Sequence, residues 1–340
     1  MYLLCLLYTY DAADEGLGVD LGGRRNIKKN RRNHIKKLVG FLKSQYLEQM
    51  KKLAPIFLLF TLGCNVPQQE FSGSKSIDLN NAFKNYWFDG MAEINTYNIK
   101  QFRYGSPREG NGVLIYVTED FLPNAQVKAN QKSKNTNTII KLNRTKNFLT
   151  GIYPYSIMTS VFSKLGKTKP LVKTTTSIQE WCGQAYLQLN RRGGLEVNSH
   201  SYFEGEADQN LRFQDALTEE EIWTWIRTYP DLLPEGNFKI LPSLEYIQLK
   251  HKPIKLYEVE TELEKNDSLN TYHMTYPELF RKLSIKFSIN APFKIYGWVE
   301  QDLSSQDQKS IAHINKTIKL PYWKLNKLGD ERYRDSLGLN

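Results

Sequence analysis

From about Leu79 onward the chain alternates apolar and polar residues with a period of two, the pattern of a strand with one buried face. Leu283, Ile285, Phe287 and Ile289 alternate with Lys282, Ser284, Lys286 and Ser288. Tyr257, Val259, Thr261 and Leu263 alternate with Glu258, Glu260 and Glu262. Ala185, Leu187 and Leu189 do the same against Gln184, Tyr186 and Gln188. Val113–Val117 and Ile139–Leu142 are shorter apolar runs rich in strand formers. Gln184–Asn190 and Leu195–Glu204 flank Arg191-Arg-Gly-Gly194, and a Gly pair between alternating runs predicts a hairpin. One segment carries a helix-start signal. Thr218-Glu-Glu-Glu221 reads as a capping box, with Ile222, Trp225 and Ile226 on one face behind it and Asp231–Gly236 ending the helix. The polar stretch 124–137 predicts a long loop.

These patterns predict a mainly β (α+β) domain over 79–340, a curved antiparallel sheet or half-barrel with one or a few packed helices. Nothing in the stretch marks a second domain, and no repeat is visible.

The upstream residues read differently. Met50-Lys-Lys52 precedes an apolar run, Leu53–Leu62, followed by Gly63-Cys64. A charged start, a short apolar run and a small residue predict an export signal over 50–63. The run is about half of the ~20 residues that a membrane-spanning helix needs. Its end resembles the lipobox of bacterial lipoproteins, although Thr61 stands where Leu is usual. The resemblance implies an acylated Cys64, and several acyl chains anchor far more firmly than one. Residues 64–78 then form a polar tether. Residues 1–49 have neither period. Cys5–Glu15 and Val19–Arg25 resemble the translation of a sequencing-library adapter, with Tyr10 and Asn26 as departures, so this stretch is expected to be non-native adapter and upstream sequence.

Composition narrows the function. Hydrophobic residues are 40% and aromatics 12% of the chain, enough to build a core. Three Cys exclude a disulfide scaffold, and Cys182 is expected to be a buried small hydrophobe. The net charge of +10 would suggest an anionic partner. Residues 1–49 hold nine Lys and Arg against five Asp and Glu, a net of +4, which leaves +6 for the rest. The remaining Lys are scattered along strands rather than gathered in a stripe, so no nucleic-acid partner is expected.

The most polar cluster is Ser199–Asn210, with His200, Glu204, Glu206 and Asp208. On a straight strand, residues two apart lie about 7 Å apart on one face. If the strand ran through Gly205, Glu204 and Glu206 would approach the carboxylate separation of a glycosidase. These four are the candidate catalytic residues, weighed against an acidic turn at the end of a strand. Ser199 and Ser201 adjoin His200, but neighbours on a strand face opposite ways. No Gly-x-Ser-x-Gly elbow and no phosphate loop occurs. His251, His273 and His313 lack zinc-site spacing. No cofactor and no metal are therefore expected. The aromatics, among them Tyr86-Trp87-Phe88, Tyr153, Tyr155, Trp181, Trp223, Trp298 and Tyr322-Trp323, fit a β core or an apolar cavity.

Phe88–Tyr97, Gly151–Met158, Gln179–Gln184 and Ser199–Asn210 together resemble a family of uncharacterised Gram-negative envelope lipoproteins, over about 50–340. Its members often carry the label septum formation inhibitor Maf. The resemblance implies an outer-membrane-type location and a shared fold, with no catalytic residues to carry over. Maf nucleotide pyrophosphatases open with a Ser-rich loop and paired Arg in an α/β domain, and residues 64–340 have no such loop. The expected function is a lipid-anchored, non-enzymatic envelope protein that binds an apolar ligand or an envelope partner. The alternatives are a periplasmic hydrolase using Glu204, Glu206 or Asp208 and, disfavoured, a Maf-type pyrophosphatase.

Overall fold

The computed structural model describes residues 78–339 apart from 168 and 306. All of them belong to the unit Gln68–Asn340. The adapter-like stretch, the export signal, Cys64 and the tether up to residue 77 lie outside the described residues.

The described chain is mostly β, one large open sheet with a few short helices. Helix α1 (Asn81–Trp87) comes first, with Asn80 Oδ1 accepting the Phe83 N–H at 2.8 Å as its cap. Nine strands follow: β1 (Ala92–Arg103), β2 (Ser106–Leu122), β3 (Val127–Lys128), β4 (Asn137–Thr150), β5 (Tyr153–Lys164), β6 (Leu171–Glu180), β7 (Gly183–Arg191), β8 (Leu195–Ser201) and β9 (Gln209–Phe213). Strand β10 (Leu217–Thr218) leads into α2 (Glu219–Thr228). Next come β11 (Gly236–Leu241), α3 (Leu244–Leu249), β12 (Tyr257–Lys265), β13 (Leu269–Tyr276), β14 (Arg281–Ser288), β15 (Ile295–Asp302), β16 (Lys309–Leu320) and α4 (Arg332–Leu337).

The strand order is β10-β11-β12-β13-β14-β15-β16-β1-β2-β4-β5-β6-β7-β8-β9, with β3 beside β2. Nearly every strand pairs with its chain neighbour, so tight turns set the registers. Besides pairing with β15, β16 returns to pair with β1 from Ala92↔Leu320 to Lys100↔Ile311 and joins the two runs, while β2 pairs with β4 past β3 and β9 does not pair with β10. All strand pairs are antiparallel except β10–β11. The free edges are β9 and β10.

The alternating segments lie where the pattern predicts. Leu283, Ile285 and Phe287 are buried along β14, and Ile289 falls just past its end and is exposed. Tyr257, Val259 and Thr261 are buried along β12, and Ala185, Leu187 and Leu189 along β7. The hairpin β7–β8 turns through Arg192-Gly-Gly194, where Gly193 has φ +70°. Apart from its last residue, Asn137, which opens β4, the long loop 124–137 contains only the two strand residues of β3.

Three details depart from the expectation. Strand β8 stops at Ser201, because the chain turns at Gly205 (φ +83°) and Ala207 (φ +46°) before β9. Cys182 is exposed, because Trp181-Cys182 is the two-residue turn that links the paired Glu180 and Gly183. Helix α2 is buried on every side, including Glu219, Glu220, Glu221 and Arg227. Its apolar face, Ile222, Trp225 and Ile226, joins the main core, and strands cover the charged remainder.

Candidate functional site

The polar cluster singled out in the sequence sits in the β8–β9 turn, and it divides into two small groups. His200 Nδ1 lies 3.0 Å from Asp208 Oδ1, and both side chains are exposed. Glu206 accepts from Ser201 Oγ at 2.6 Å and from Gln248 Nε2 at 2.5 Å, and meets His251 Nδ1 at 2.5 Å. Burial raises the Glu206 carboxyl pKa, but these hydrogen bonds outweigh it and hold it below the usual range. Glu204 is exposed in the turn. The end of β8 therefore removes the straight strand that would have put Glu204 and Glu206 on one face. Glu206 faces Ser201 and α3 instead, and His251 joins it from the loop after α3. In a Ser-His-acid triad the imidazole must touch the Ser hydroxyl. Here the carboxylate stands between them, so the group ties the turn to α3.

A second concentration of chemistry lies around α2, whose charged side chains pair with strands on both runs of the sheet. Glu219 meets Arg281 of β14 at 2.5 and 2.8 Å and accepts from Tyr276 Oη at 2.8 Å. Arg144 of β4 reaches Glu220 and Glu245, each at 3.2 Å. Lys146 meets Glu245 at 2.7 Å. Arg191 of β7 holds Glu221 through two bonds of 3.0 and 3.1 Å. Arg227 grips Glu93 of β1 through two bonds of 2.7 and 2.8 Å. Burial works against ions at such depth, and their partners offset it to different degrees. Burial raises the Glu219 and Glu245 pKa values, yet the neighbouring cations carry both below the ordinary carboxylate range. For Glu220 burial wins and its pKa is raised. The cleft beside Arg144, Lys146 and Arg281 has only about 30 Å³ open to water, enough for a water molecule or two.

The larger concavity is at the other end of α2, a cavity of about 430 Å³. Phe83, Tyr86 and Trp87 of α1 form one wall. Tyr229, Leu232, Pro292 and Phe293 form much of the rest, with Arg227 and Thr228 also in the lining. Phe83 stacks on Tyr229 with centroids 6.1 Å apart. Trp87 meets Tyr86 edge-on at 5.1 Å, and Arg227 lies over Trp87 at 5.1 Å and over Tyr116 at 4.5 Å. The helix is clamped from outside: Thr118 Oγ1 donates to the Trp87 carbonyl at 2.6 Å, and Lys319 Nζ meets Asp89 at 2.6 Å. Arg227 also donates from Nε to the Pro292 carbonyl at 2.9 Å. Tyr86 donates its hydroxyl to Glu93. Burial and the Glu93 charge push that tyrosine's pKa well up, so it stays protonated. Burial raises the Glu93 pKa, but Arg227 and the hydrogen bonds from Tyr86 and Asn95 bring it down to about 2. The one cation in the lining is thus already neutralised, and the walls are largely aromatic and aliphatic, with the exposed Asp78, Asn80 and Asp231 also in the lining. A volume of this size lies in the usual range for small-molecule sites.

Tyr86-Trp87 stood out in the sequence as core or cavity lining, and Trp87 serves as both. Phe83, Glu93, Arg227, Tyr229 and Phe293 did not stand out. A faint signal existed, since Arg227 is a charged residue directly behind the apolar Ile222–Ile226 stripe. Among the described residues no group of three metal-ligating side chains sits together. Within the same residues no helix is long and apolar enough to cross a membrane.

No family model and no curated protein matches the chain. Among solved structures, the chain is similar to a β-barrel-like protein of domain of unknown function DUF1849 from Brucella abortus. That match has a TM-score of 0.43 at 6% identity and covers 67% of this chain and 98% of that one.

Proposed function

We propose that this is a lipid-anchored cell-envelope protein whose sheet curves as a half-barrel around α2 and holds an apolar ligand in the cavity beside α1. The cavity carries the reading: about 430 Å³, walled by Phe83, Tyr86, Trp87, Tyr229 and Phe293, with its only cation paired to Glu93. Such walls favour an apolar body, and an anionic group would be stripped of water without a free cation, because Arg227 is already paired. The curvature is supported by α2, whose ion pairs reach β1, β4, β7 and β14. The anchor is supported by the charged start, apolar run and Gly63-Cys64. No catalytic step is assigned.

The test is a titration of the full chain with the neutral fluorescent probe phenylnaphthylamine, displaced by a long-chain alcohol. Saturable binding is expected, with Leu232→Arg at the half-exposed rim weakening it about tenfold, roughly 1.4 kcal/mol. Binding that is absent, or untouched by Leu232→Arg and Phe83→Ala, refutes the cavity as a ligand site. The anchor is checked separately by the mass of the N-terminal peptide from a Gram-negative host, where an unmodified Cys64 refutes it.

A further inference from the structure

Antiparallel turns alternate between the two ends of a sheet, so β1–β2, β4–β5, β6–β7 and β8–β9 all turn at one end. Each of these four neighbouring turns exposes a large apolar side chain at or beside its apex. Tyr104 is 58% exposed, Ile152 83%, Trp181 68% and Tyr202 77%. Exposure on this scale, repeated in four adjacent turns, is more than the scattered surface apolar residue that needs no explanation. The side chains also form a connected strip. Tyr104 Oη lies 2.9 Å from Tyr155 Oη, Tyr155 neighbours Tyr153 at 6.0 Å, and Tyr153 stacks on Trp181 at 6.3 Å. The Tyr202 ring covers Gly183 so closely that a Cβ there would meet it at 3.1 Å. At the opposite end Arg192-Gly-Gly194 and the Lys- and Asn-rich loop 124–137 are mostly polar, with Val127 and, in the β14–β15 turn, Ile289 as exposed apolar side chains.

We propose that this rim docks on the interface of a lipid bilayer, with the turn tips dipping into the headgroup layer. Four features choose a bilayer over a protein partner. The tips project instead of lining a groove, so they offer little concave surface for a partner side chain. Trp and Tyr carry an apolar ring and a polar edge, which suits the headgroup level. Three of the four apices, Tyr104-Gly105, Gly151-Ile152 and Trp181-Cys182, are uncharged, with Arg103 and Glu180 set one residue back, while the β8–β9 turn carries exposed Glu204 and Asp208 beyond Tyr202. Finally, the fourteen steps from Cys64 to Asp78 span at most about 50 Å. The fourteen-residue β4 is about 46 Å long, so the tether reaches from either end of the sheet. Only this last point rests on the anchor proposed above.

The test uses the full chain with Cys64→Ser, which removes acylation, and vesicles of zwitterionic phosphatidylcholine. The expected result is flotation with the vesicles, unchanged at high salt, and quenching of Trp181 emission by bromine-labelled acyl chains. Ile152→Asp with Trp181→Asp should cut partitioning by about a hundredfold, the loss of two buried apolar tips. Trp181→Phe should keep most of it. Flotation that is absent, or equal in the double variant, overturns the proposal. So does self-association that the double substitution abolishes without any vesicle binding. Phenylnaphthylamine binding by the double variant reports on the cavity independently, so a failed rim and a failed cavity are told apart.

Discussion

Glu93 and Arg227 are separated by 134 positions in sequence and meet where no solvent reaches either side chain. A buried pair of this kind adds little over an apolar pair of the same shape, but losing one member strands a charge. Arg227→Met alone should therefore cost about 3–5 kcal/mol, and Glu93→Leu with Arg227→Met should cost less than either single change. Urea unfolding of the four proteins checks this, and additive losses would refute it. The same pair sets an acid response. The Glu93 pKa is lowered in the folded state to about 2 from an ordinary value of 4.5, so its stabilisation is complete above the ordinary value. It is lost as pH falls from about 4.5 toward 2, a loss of about 3 kcal/mol.

Within single elements, backbone fit and local ties matter more than charge. Helix α2 starts where Glu221 accepts the Thr218 N–H at 2.8 Å, the reciprocal half of a capping box. The same carboxylate holds Arg191, so one residue both starts the helix and fastens it to β7. In β15 the chain passes so close to β16 that a Cβ on Gly297 would stand 2.2 Å from the Ala312 carbonyl oxygen. Gly297→Ala should destabilise by about 1–3 kcal/mol, as overpacking does, and loosen amide exchange along β15 and β16. Normal exchange there would show that the two strands can separate without cost. In the β8–β9 turn, Glu206→Gln should raise amide exchange over residues 202–208 and change global stability by less than about 1 kcal/mol. Because the Glu206 pKa is lowered, acid should loosen the turn in the same way as the substitution.

At the scale of the whole molecule, the sheet gathers an unusual amount of charge around one helix. Three carboxylates on or beside it, Glu93, Glu219 and Glu245, have lowered pKa values, and one, Glu220, has a raised one. The first three stabilise the fold above the ordinary carboxylate range and lose that effect as pH falls through their folded values. Glu220 acts in the opposite sense, since burial penalises its ionised form. Three terms against one predict that the thermal midpoint falls steadily below about pH 4.5. A midpoint that holds or rises between pH 5 and pH 3, roughly the window of ordinary carboxyl titration, would contradict the balance.

The strands, the β7–β8 hairpin and the start of α2 were legible in the linear order of residues, because alternation, turn glycines and caps act over a few neighbours. The aromatic run at Tyr86-Trp87 was visible too, but not the wall it would join. The wall needs Tyr229 and Phe293 brought beside α1, and the floor needs Glu93 set against Arg227. Those meetings follow from β16 returning to β1 and from strands covering every side of α2, which no local pattern encodes. Cys182 and Glu204 are exposed for a related reason: each falls in a turn beyond the end of its strand, and where a strand stops is set by pairing with its neighbour. Local chemistry thus determined the elements of this protein. Only the long-range pairing of strands decided which charges are buried, where the cavity lies, and that four separate turns present one aromatic rim.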